Sequence, residues 1–337
     1  MGPRSIVGLG ALLLFALGCR DEASSPTEPV AGFPHPALAV GSNTWLIRRD
    51  MPYARWGIAS AVVNNSAGQS ILYAIGGTTA TGASLGRVQA YNVATNTWSW
   101  KAPLPIPLKW TNGAGVINGK IYLAGGITHV SSGDAFNYRL YVYNPATNAW
   151  TRKRDMPFTG FKGFTGVINN KLYVVTSCGD IEWCRVPGQW LLRYDPLLDT
   201  WTKLATPPQQ YYHGIGSILS MKFYLGSQLS NRLDVYDPLT NDWTPRKTNL
   251  AIRLLPASVM LGGKLYMMGG WGKNTAGASS EVRTMNVYDP GTNLWTNRAP
   301  MPRADSDLAA ARVFVDGRAR IEVVGGAPPG NNVQYIP

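Results

Sequence analysis

The stretch VYNPATNAWTRKRDMP, residues 142–157, decides the fold because most of it recurs along the chain. Related phrases are VYDPGTNLWTNRAPMP at 287–302, VYDPLTNDWTPRK at 235–247 and AYNVATNTWSWKAPLP at 90–105. The tryptophans that end these phrases and their weaker copies are Trp45, Trp98, Trp150, Trp201, Trp243 and Trp295. They are 53, 52, 51, 42 and 52 residues apart, so the chain is predicted to consist of one repeated unit of about fifty residues.

Each repeat is predicted to contain four short strands. An alternating aromatic strand precedes the tryptophan, as in LYVYNP at 140–145, and an earlier strand ends in paired glycines, as in KIYLAGG up to Gly126. Earlier still lies a strand of small apolar residues, such as GAGVIN at 113–118, and no helical pattern follows Leu17. One small sheet cannot bury both of its faces alone, so these units predict an all-β radial propeller.

The succession of GG, YDP-x-T-N-x-W and M-P resembles the kelch repeat, from Asn43 almost to the C-terminus. The resemblance implies a six-bladed kelch β-propeller. The last blade has three strands, near 309–315, 321–326 and 333–336, before the sequence stops. The N-terminal strand around Trp45 is expected to supply the fourth strand and close the ring.

The first forty-two residues are predicted to be an export signal and a tether. The apolar stretch Ile6–Leu17 follows Arg4 and is too short to span a bilayer, which indicates a signal peptide at 1–18. The sequence ALGC at 16–19 resembles the lipobox of bacterial lipoproteins, which implies a lipid on Cys19; ordinary cleavage near Gly18 is the alternative. Residues 19–42 are predicted to be a flexible linker to the propeller at 43–337, at the bacterial cell envelope.

Two further cysteines and the net charge bear on the environment of the protein. Cys178 and Cys184 are six residues apart in a loop, and after export a disulfide between them is expected. A zinc site is the alternative, but two thiols without nearby histidines are too few ligands. The net charge of +12 would suit nucleic acid in a cytosolic protein. Export favours anionic polysaccharide or lipid headgroups instead, or a merely solvated basic surface.

Candidate ligand-binding residues come from an ungapped alignment of the segments that lead into the innermost strands. In each repeat one residue of the innermost strand serves as the anchor of this alignment: Val62, Val116, Val167, Ile218, Val259 and Arg312. The position six residues before the anchor holds Trp56, Trp110, Phe161, Tyr212, Arg253 and Ser306. Four of the six are aromatic, and we expect them to ring the mouth of the channel, with Lys162 and Arg253 adding positive charge. Such a surface suits sugar rings, and the cations favour an anionic glycan. Packing of the aromatic residues between blades is the alternative.

The sequence therefore predicts an extracytoplasmic binding module, without metal or cofactor, whose partner is a glycan or a cell-envelope protein. It is expected to be a monomer that touches the membrane through the lipid alone and does not bind nucleic acid. The kelch resemblance also implies two enzymatic alternatives. Some exported six-bladed kelch proteins of similar size are sugar-acid epimerases, and the acid–base groups would come from Glu281, Asp305, Asp307, His213 and Arg253.

The second alternative, a copper oxidase similar to galactose oxidase, requires two histidines, two tyrosines and a free cysteine. Beyond the signal peptide the histidines are His35, His129 and His213, and His35 falls in the linker. If Cys178 and Cys184 pair, no free cysteine remains. A copper radical site is therefore disfavoured.

Overall fold

The computed structural model describes residues 42–111, 113–130, 133–161, 163–176, 188–211, 213–227, 230, 232–250, 252–273, 277–326 and 330–337. All of them lie in one unit, Val40–Pro337. The signal peptide, Cys19, most of the linker, the cysteine pair Cys178 and Cys184, and the candidate residues Lys162 and Tyr212 lie outside the described residues. In the part of the chain that is described, no helix is long and apolar enough to cross a membrane.

The described strands form six four-stranded antiparallel sheets, which are the blades of a β-propeller. The chain starts with β1 (Thr44–Ile47) and then makes blade 1 from β2 (Ala59–Asn64), β3 (Ser70–Ile75), β4 (Val88–Asn92) and β5 (Thr97–Lys101). The next strands are β6 (Ala114–Ile117), β7 (Lys120–Ala124), β8 (Ile127–Val130), β9 (Gly133–Phe136), β10 (Leu140–Asn144) and β11 (Ala149–Lys153). Of these, β6, β7, β10 and β11 form blade 2, and β8 pairs with β9 as a separate two-stranded ribbon.

The remaining blades follow in sequence order. Blade 3 is β12 (Phe164–Ile168), β13 (Lys171–Thr176), β14 (Trp190–Asp195) and β15 (Thr200–Lys203). Blade 4 is β16 (Ile215–Leu219), β17 (Lys222–Gly226), β18 (Arg232–Asp237) and β19 (Asp242–Lys247). The next strands are β20 (Ala257–Leu261), β21 (Lys264–Met268), the ribbon strands β22 (Trp271–Lys273) and β23 (Ser279–Glu281), β24 (Met285–Asp289) and β25 (Leu294–Arg298). Blade 5 uses the four non-ribbon strands.

The sixth blade confirms the predicted closure of the ring. It consists of β26 (Ala309–Val315), β27 (Arg318–Gly325), β28 (Asn331–Ile336) and, at its outer edge, the N-terminal strand β1. In this register Trp45 lies opposite Tyr335, as Trp98 lies opposite Tyr91 in blade 1. We call the four strands of a blade A to D from the channel outward, so β1 is the D strand of blade 6.

The repeated phrase builds the turn between the C and D strands. In blade 2 the Tyr143 hydroxyl donates to Asn148 Oδ1 (2.6 Å) and the Trp150 indole N–H donates to the Ala102 carbonyl (3.0 Å). Asn148 has φ +49°, a left-handed conformation that asparagine tolerates better than most residues. Its Oδ1 also accepts the Ala102 N–H, so in blade 2 the phrase joins the outer edge to the chain arriving from blade 1.

The hydrophobic core is divided into six clusters, and each lies between two neighbouring blades. Between blades 1 and 2, Tyr73 and Tyr143 are buried with ring centroids 5.6 Å apart, and Trp150 packs against them. A blade that lost its neighbour would expose this apolar area, so stability depends on a closed ring.

The paired glycines are required where adjacent segments cross closely. In blade 1, Gly76 and Gly77 have φ +66° and +103°. A Cβ at Gly77 would lie 2.6 Å from the Trp56 carbonyl oxygen, which no side chain can do without moving the backbone.

Candidate functional site

The segments that follow the D strands and those that follow the paired glycines meet at one end of the channel, which we call the mouth. Isolated backbone bridges join Trp56 to Thr78, Lys109 to Ile127 and Leu254 to Trp271. These contacts place the same two connections together in blades 1, 2 and 5. They also give a structural alignment of the repeats that does not depend on counting residues.

One step further along the chain, four backbone hydrogen bonds join five residues from blades 1, 2, 4, 5 and 6 in a series around the mouth, which we call the ring. The N–H of Trp110 donates to Gly57 (2.9 Å), that of Gly57 to Asp307 (3.3 Å), that of Asp307 to Leu255 (3.0 Å) and that of Leu255 to His213 (2.8 Å). All five have φ between 47° and 60°. A non-glycine residue in this conformation costs about 1 kcal/mol, so the hydrogen bonds of the ring offset local strain.

The ring corrects the predicted alignment of site residues. Trp110 is a ring residue, Trp56 precedes its ring residue by one position, and Arg253 precedes Leu255 by two. The ungapped alignment therefore placed side by side a ring residue of blade 2, the residue before the ring in blade 1 and the residue two before it in blade 5. The anchor in blade 5 was one residue out of register, since Val259 pairs with Tyr266 whereas Val62 pairs with Leu72, the residue before the matching Tyr73.

Arg253 is bound within its own blade. Its Nε donates to the Gly269 carbonyl (2.7 Å), one Nη to the Thr284 carbonyl (3.0 Å) and the other Nη to Asn286 Oδ1. Burial lowers the pKa of its guanidinium to about 10. Arg55 of blade 1 makes the same contacts with the carbonyl of Gly76 and with a C-strand amide side chain. Arg253 therefore holds the strands of its own blade together, and four of its five N–H donors have acceptors there.

The predicted aromatic residues have different surroundings. Phe161 is 2% exposed and stacks on Phe136 with centroids 5.3 Å apart, beside the ribbon of β8 and β9. Trp56 is half-buried in the bridge to Thr78. Trp110 is half-buried and faces the cavity at the mouth. Of the described candidates, only Trp110 therefore combines exposure with a place on the ring.

Trp110 crosses blade 1 to reach blade 6. Its indole N–H donates to Asp307 Oδ2 at 2.9 Å. Its ring lies over Gly57, where a Cβ would approach the indole to 2.1 Å. Gly57 is therefore the ring residue that leaves room for the tryptophan, and the pair Trp110 and Asp307 forms one wall of the mouth.

Lys109 is paired within a small charge cluster. Its Nζ lies 2.9 Å from Asp134 Oδ2 and 4.9 Å from the Trp110 ring centroid, and its side chain is 4% exposed. His129 Nδ1 lies 2.9 Å from the other oxygen of Asp134. Burial opposes ionisation of Asp134, but the hydrogen bonds from His129 and Lys109 outweigh it and lower the pKa of the carboxyl. The ion pair of Lys109 and Asp134 holds the ribbon of β8 and β9 against the mouth.

A second cluster lies on the ribbon of blade 5, which the Gly- and Ser-rich sequence at 271–283 had not indicated. Trp271 is 43% exposed, and its indole N–H donates to Ser306 Oγ at 3.1 Å. The Ser306 hydroxyl donates to Glu281 Oε1 at 2.7 Å. An exposed indole face thus lies beside a carboxylate at the rim of the mouth.

Two acid–base groups of the epimerase alternative make hydrogen bonds within the protein. Asp305 is buried, accepting hydrogen bonds from Asn331 Nδ2 (2.6 Å) and the Ser306 N–H (2.8 Å), so it supports blade 6. Asp307 lies on the ring and binds Trp110. Within the described residues, no three His, Cys, Asp or Glu side chains come together as a metal site requires.

The mouth opens into a cavity of about 460 Å³ in the channel. Trp110, His213, Leu255 and Asp307 line its rim, and the hydroxyl-bearing Ser60, Thr165, Ser217 and Ser258 line its wall. These rim side chains differ in size, polarity and charge from one blade to the next. The ring position is therefore where the repeats diverge around an accessible cavity, a property expected of a binding site rather than of scaffold.

Comparisons with known proteins agree with the repeat pattern. The family model of the kelch motif matches residues 66–105, 112–157 and 252–302. Human Kelch-like protein 30 is 27% identical over 302 residues, 88% of this chain and 49% of the relative. Kelch-like protein terF of Aspergillus terreus is 29% identical over 233 residues, 64% of this chain and 50% of the relative. A putative F-box/kelch-repeat protein of Arabidopsis thaliana is 25% identical over 223 residues, 64% of this chain and 60% of the relative.

The chain spans about half the length of the curated relatives it matches. Among solved structures, the one titled "Structure of YjhT" is similar with a TM-score of 0.64 at 16% identity, covering 85% of this chain and 94% of the other. That likeness supports the fold alone. Three segments of the chain match the kelch motif, and the six blades form a β-propeller consistent with kelch repeats.

Proposed function

We propose that this kelch propeller is an exported interaction module of the bacterial cell envelope, anchored by a lipid on Cys19, which binds a partner protein segment at its mouth. The observation that carries the proposal is the ring around the cavity of about 460 Å³. Scaffold positions repeat in the blades, whereas the described ring residues are a glycine, a tryptophan, a histidine, a leucine and an aspartate. Variation confined to a cavity rim is typical of a recognition surface on a repeat scaffold.

The charges at the mouth favour a peptide over an anionic glycan. Lys109 is paired with Asp134, and the guanidinium donors of Arg253 bind oxygens of blade 5. Arg253, one of the two cations on which an anionic ligand was expected, is therefore engaged inside the protein, and so is Lys109 beside Trp110. The rim combines an indole, an aliphatic side chain and polar groups, which suits a few side chains of an extended or looped segment.

A peptide selection tests this proposal. Peptides from a random display library, selected on the mature protein, are expected to bind less tightly to Trp110→Ala by on the order of tenfold or more, because an aromatic anchor in a pocket dominates binding. Leu255→Ser should weaken the same peptides. Trp100→Ala is the matched control, since Trp100 is an exposed tryptophan on the D strand of blade 1, away from the ring. Peptides whose calorimetric affinity is equal in wild type and Trp110→Ala would place the site elsewhere.

A neutral glycan is a second candidate, favoured by the cluster of Trp271, Ser306 and Glu281. An exposed indole face stacks on the apolar face of a sugar, and an adjacent carboxylate accepts hydrogen bonds from its hydroxyls. If the cluster binds sugar, glycan-array signals of the wild type should disappear in Trp271→Ala and persist in Trp100→Ala. Signals that survive Trp271→Ala would contradict this candidate.

A further inference from the structure

Four aliphatic side chains are exposed at the end of blades 3 and 4 opposite the mouth. Leu197 and Leu198 lie in the C–D turn of blade 3 and are 90% and 70% exposed. Leu239 lies in the C–D turn of blade 4 and is 90% exposed, and Met221 of the A–B hairpin there is 46% exposed. Single exposed apolar residues are ordinary, but a group on two neighbouring blades is a feature of interaction surfaces.

The turns themselves do not require these leucines. Asp195 Oδ1 accepts the Leu197 N–H at 3.0 Å, and Asp237 Oδ1 accepts the Leu239 N–H at 2.9 Å. The same turn in blade 2 has Ala146, whose N–H binds Asn144 Oδ1 at 3.1 Å, and in blade 5 it has Gly291, bound to Asp289 at 2.9 Å. The backbone bond is unchanged whichever side chain follows, so the apolar character serves something other than the fold.

The A–B hairpins and C–D turns lie at one end of each blade, and we call this end the hairpin face. In blade 4, Lys222 at the hairpin lies 2.8 Å from Asp237 at the turn. In blade 5, Lys264 lies 2.7 Å from Asp289 in the same way. These ion pairs hold the hairpin of Met221 close to the turn of Leu239, so the four aliphatic side chains share the hairpin face.

The N-terminal linker joins the propeller at the same face. Asn43 has φ +59° and accepts hydrogen bonds from the Tyr335 hydroxyl (2.8 Å) and the Ala299 N–H (3.0 Å). Asn148 accepts the matching bonds from Tyr143 and Ala102 in blade 2. Asn43 is therefore the C–D turn residue of blade 6, and the described chain enters the propeller at the hairpin face. In a ring of six blades, blade 6 stands across from blade 3.

We propose that the hairpin face docks on the lipid bilayer, with Leu197, Leu198 and Leu239 inserted at the level of the headgroups and upper acyl chains. The inference rests on the proposed lipid anchor at Cys19. The 23 linker residues from Arg20 to Ser42 span about 25–30 Å on average, so the anchor keeps the face at a high local concentration near the membrane. The chain is attached at blade 6 and the leucines insert at blades 3 and 4, on the other side of the ring. The hairpin face therefore lies parallel to the membrane, and the mouth points away from it.

The chemistry of the face agrees with this occupant. Leucine side chains at turn tips partition into the interface as their apolar area leaves water. The whole chain, whose net charge of +12 includes only Arg4 from the signal peptide, adds long-range attraction of the protein to anionic headgroups.

The test uses vesicles of phosphatidylethanolamine and phosphatidylglycerol, with both the lipidated protein and its unlipidated Cys19→Ser form. The triple variant Leu197→Ala, Leu198→Thr, Leu239→Ala gives the turns the residue types of blade 2. We expect it to weaken co-sedimentation of the Cys19→Ser protein by on the order of tenfold or more. In the lipidated wild type, hydrogen exchange at 195–199 and 237–241 should slow on vesicles, and the triple variant should lose this protection.

A matched control is Ile47→Thr, which removes a 67% exposed aliphatic side chain from the other end of β1. Equal loss of vesicle binding in this control would overturn the docking proposal. Lipidated protein that binds vesicles but exchanges at both turns as fast as in solution would also overturn it, while leaving the anchor in place. Turns protected on vesicles in a protein that is never lipidated would support docking and refute the anchor. Protection that needs an added envelope protein rather than lipid would assign the leucines to a protein partner and overturn the proposal.

Discussion

Removal of the closing strand is expected to unfold the propeller, lowering the free energy of unfolding by several kcal/mol. The chain without residues 43–47 loses all four register positions of β1 on β28. It also loses Trp45, whose ring lies 5.2 Å from that of Tyr335 and whose indole N–H binds the Ala299 carbonyl. Truncating a packed tryptophan alone costs about 3–5 kcal/mol when it is fully buried. Since β28 then becomes an unpaired edge, aggregation should accompany unfolding.

Urea unfolding followed by tryptophan fluorescence measures this effect. The control removes an equally long stretch, residues 24–28, from the predicted linker, and we expect its urea midpoint to equal that of the wild type. Trp45→Ala and Trp150→Ala form a second matched pair, because both tryptophans occupy the same D-strand position and donate to the chain from the preceding blade. Similar losses in the two variants are expected. A deletion of residues 43–47 that unfolds at the wild-type midpoint would show that the ring does not depend on β1.

The repeated architecture could be predicted because each of its features recurs several times. The phrase Tyr-x-x-x-x-Asn-x-Trp places a phenol, a left-handed turn residue and an indole at fixed separations, and the structure gives all three a role in the C–D turn. The closure by Trp45 followed from counting strands, and the register of Trp45 opposite Tyr335 confirms it. Periodic signals survive small errors in alignment because many copies must agree.

The mouth could not be predicted to the same accuracy because it depends on a single residue of register. Blade 2 has one more residue between Trp110 and its A strand than blade 1 has after Gly57, so counting back six residues reached the ring there and the preceding layer in blade 1. One position decides whether a side chain lines the cavity or is buried, as the stacking of Phe161 on Phe136 shows. Conformation adds to this, since nothing in the sequence marks Trp110 or Leu255 as left-handed.

The role of Arg253 was also beyond the sequence, because its partners are mostly backbone carbonyls. A signal was nevertheless present, because Arg55 and Arg253 both precede the A strand of a blade whose B strand ends in paired glycines. Each arginine donates to an amide side chain of the C strand, Gln89 and Asn286 respectively. An arginine that recurs together with an amide partner suggests a structural role within the blade. The exposed Leu197 and Leu239 were equally visible in the phrases DPLLDT and DPLTND, but only their accessibility separates them from core residues.

A buried carboxyl in blade 6 is expected to make the stability of the propeller fall as the pH rises. Glu322 is fully buried on the B strand at the position that holds Tyr73 in blade 1. Its Oε2 accepts the Gln334 amide at 2.7 Å, and its Oε1 has no partner among the described residues. Burial raises the pKa of Glu322 from 4.5 to about 8, and the opposing effects of the Gln334 hydrogen bond and of Arg48 and Arg320 are smaller.

The sign of the pH dependence follows from where the proton is held. Between pH 4.5 and about 8 the folded protein keeps the proton on Glu322, while the unfolded chain has released it. The contribution to stability is therefore complete below pH 4.5, declines by at most about 1.4 kcal/mol per pH unit, and stops declining once the pH passes the folded pKa. Over the whole window the loss amounts to a few kcal/mol.

The variant Glu322→Gln removes the titration while its amide oxygen can still accept the hydrogen bond from Gln334. Urea unfolding at pH 5, 6, 7, 8 and 9 should show a free energy of unfolding that declines in the wild type and is flatter in Glu322→Gln, with the variant the more stable above pH 7. Glu281→Gln at the mouth is the control, because it removes a carboxylate that binds the Ser306 hydroxyl and lies outside the core of blade 6. It should keep the wild-type slope. Parallel curves for wild type and Glu322→Gln would mean that the carboxyl is hydrated or ionised in the folded state, since a buried carboxylic acid that lacks full hydrogen bonding cannot lose its proton without a cost to folding.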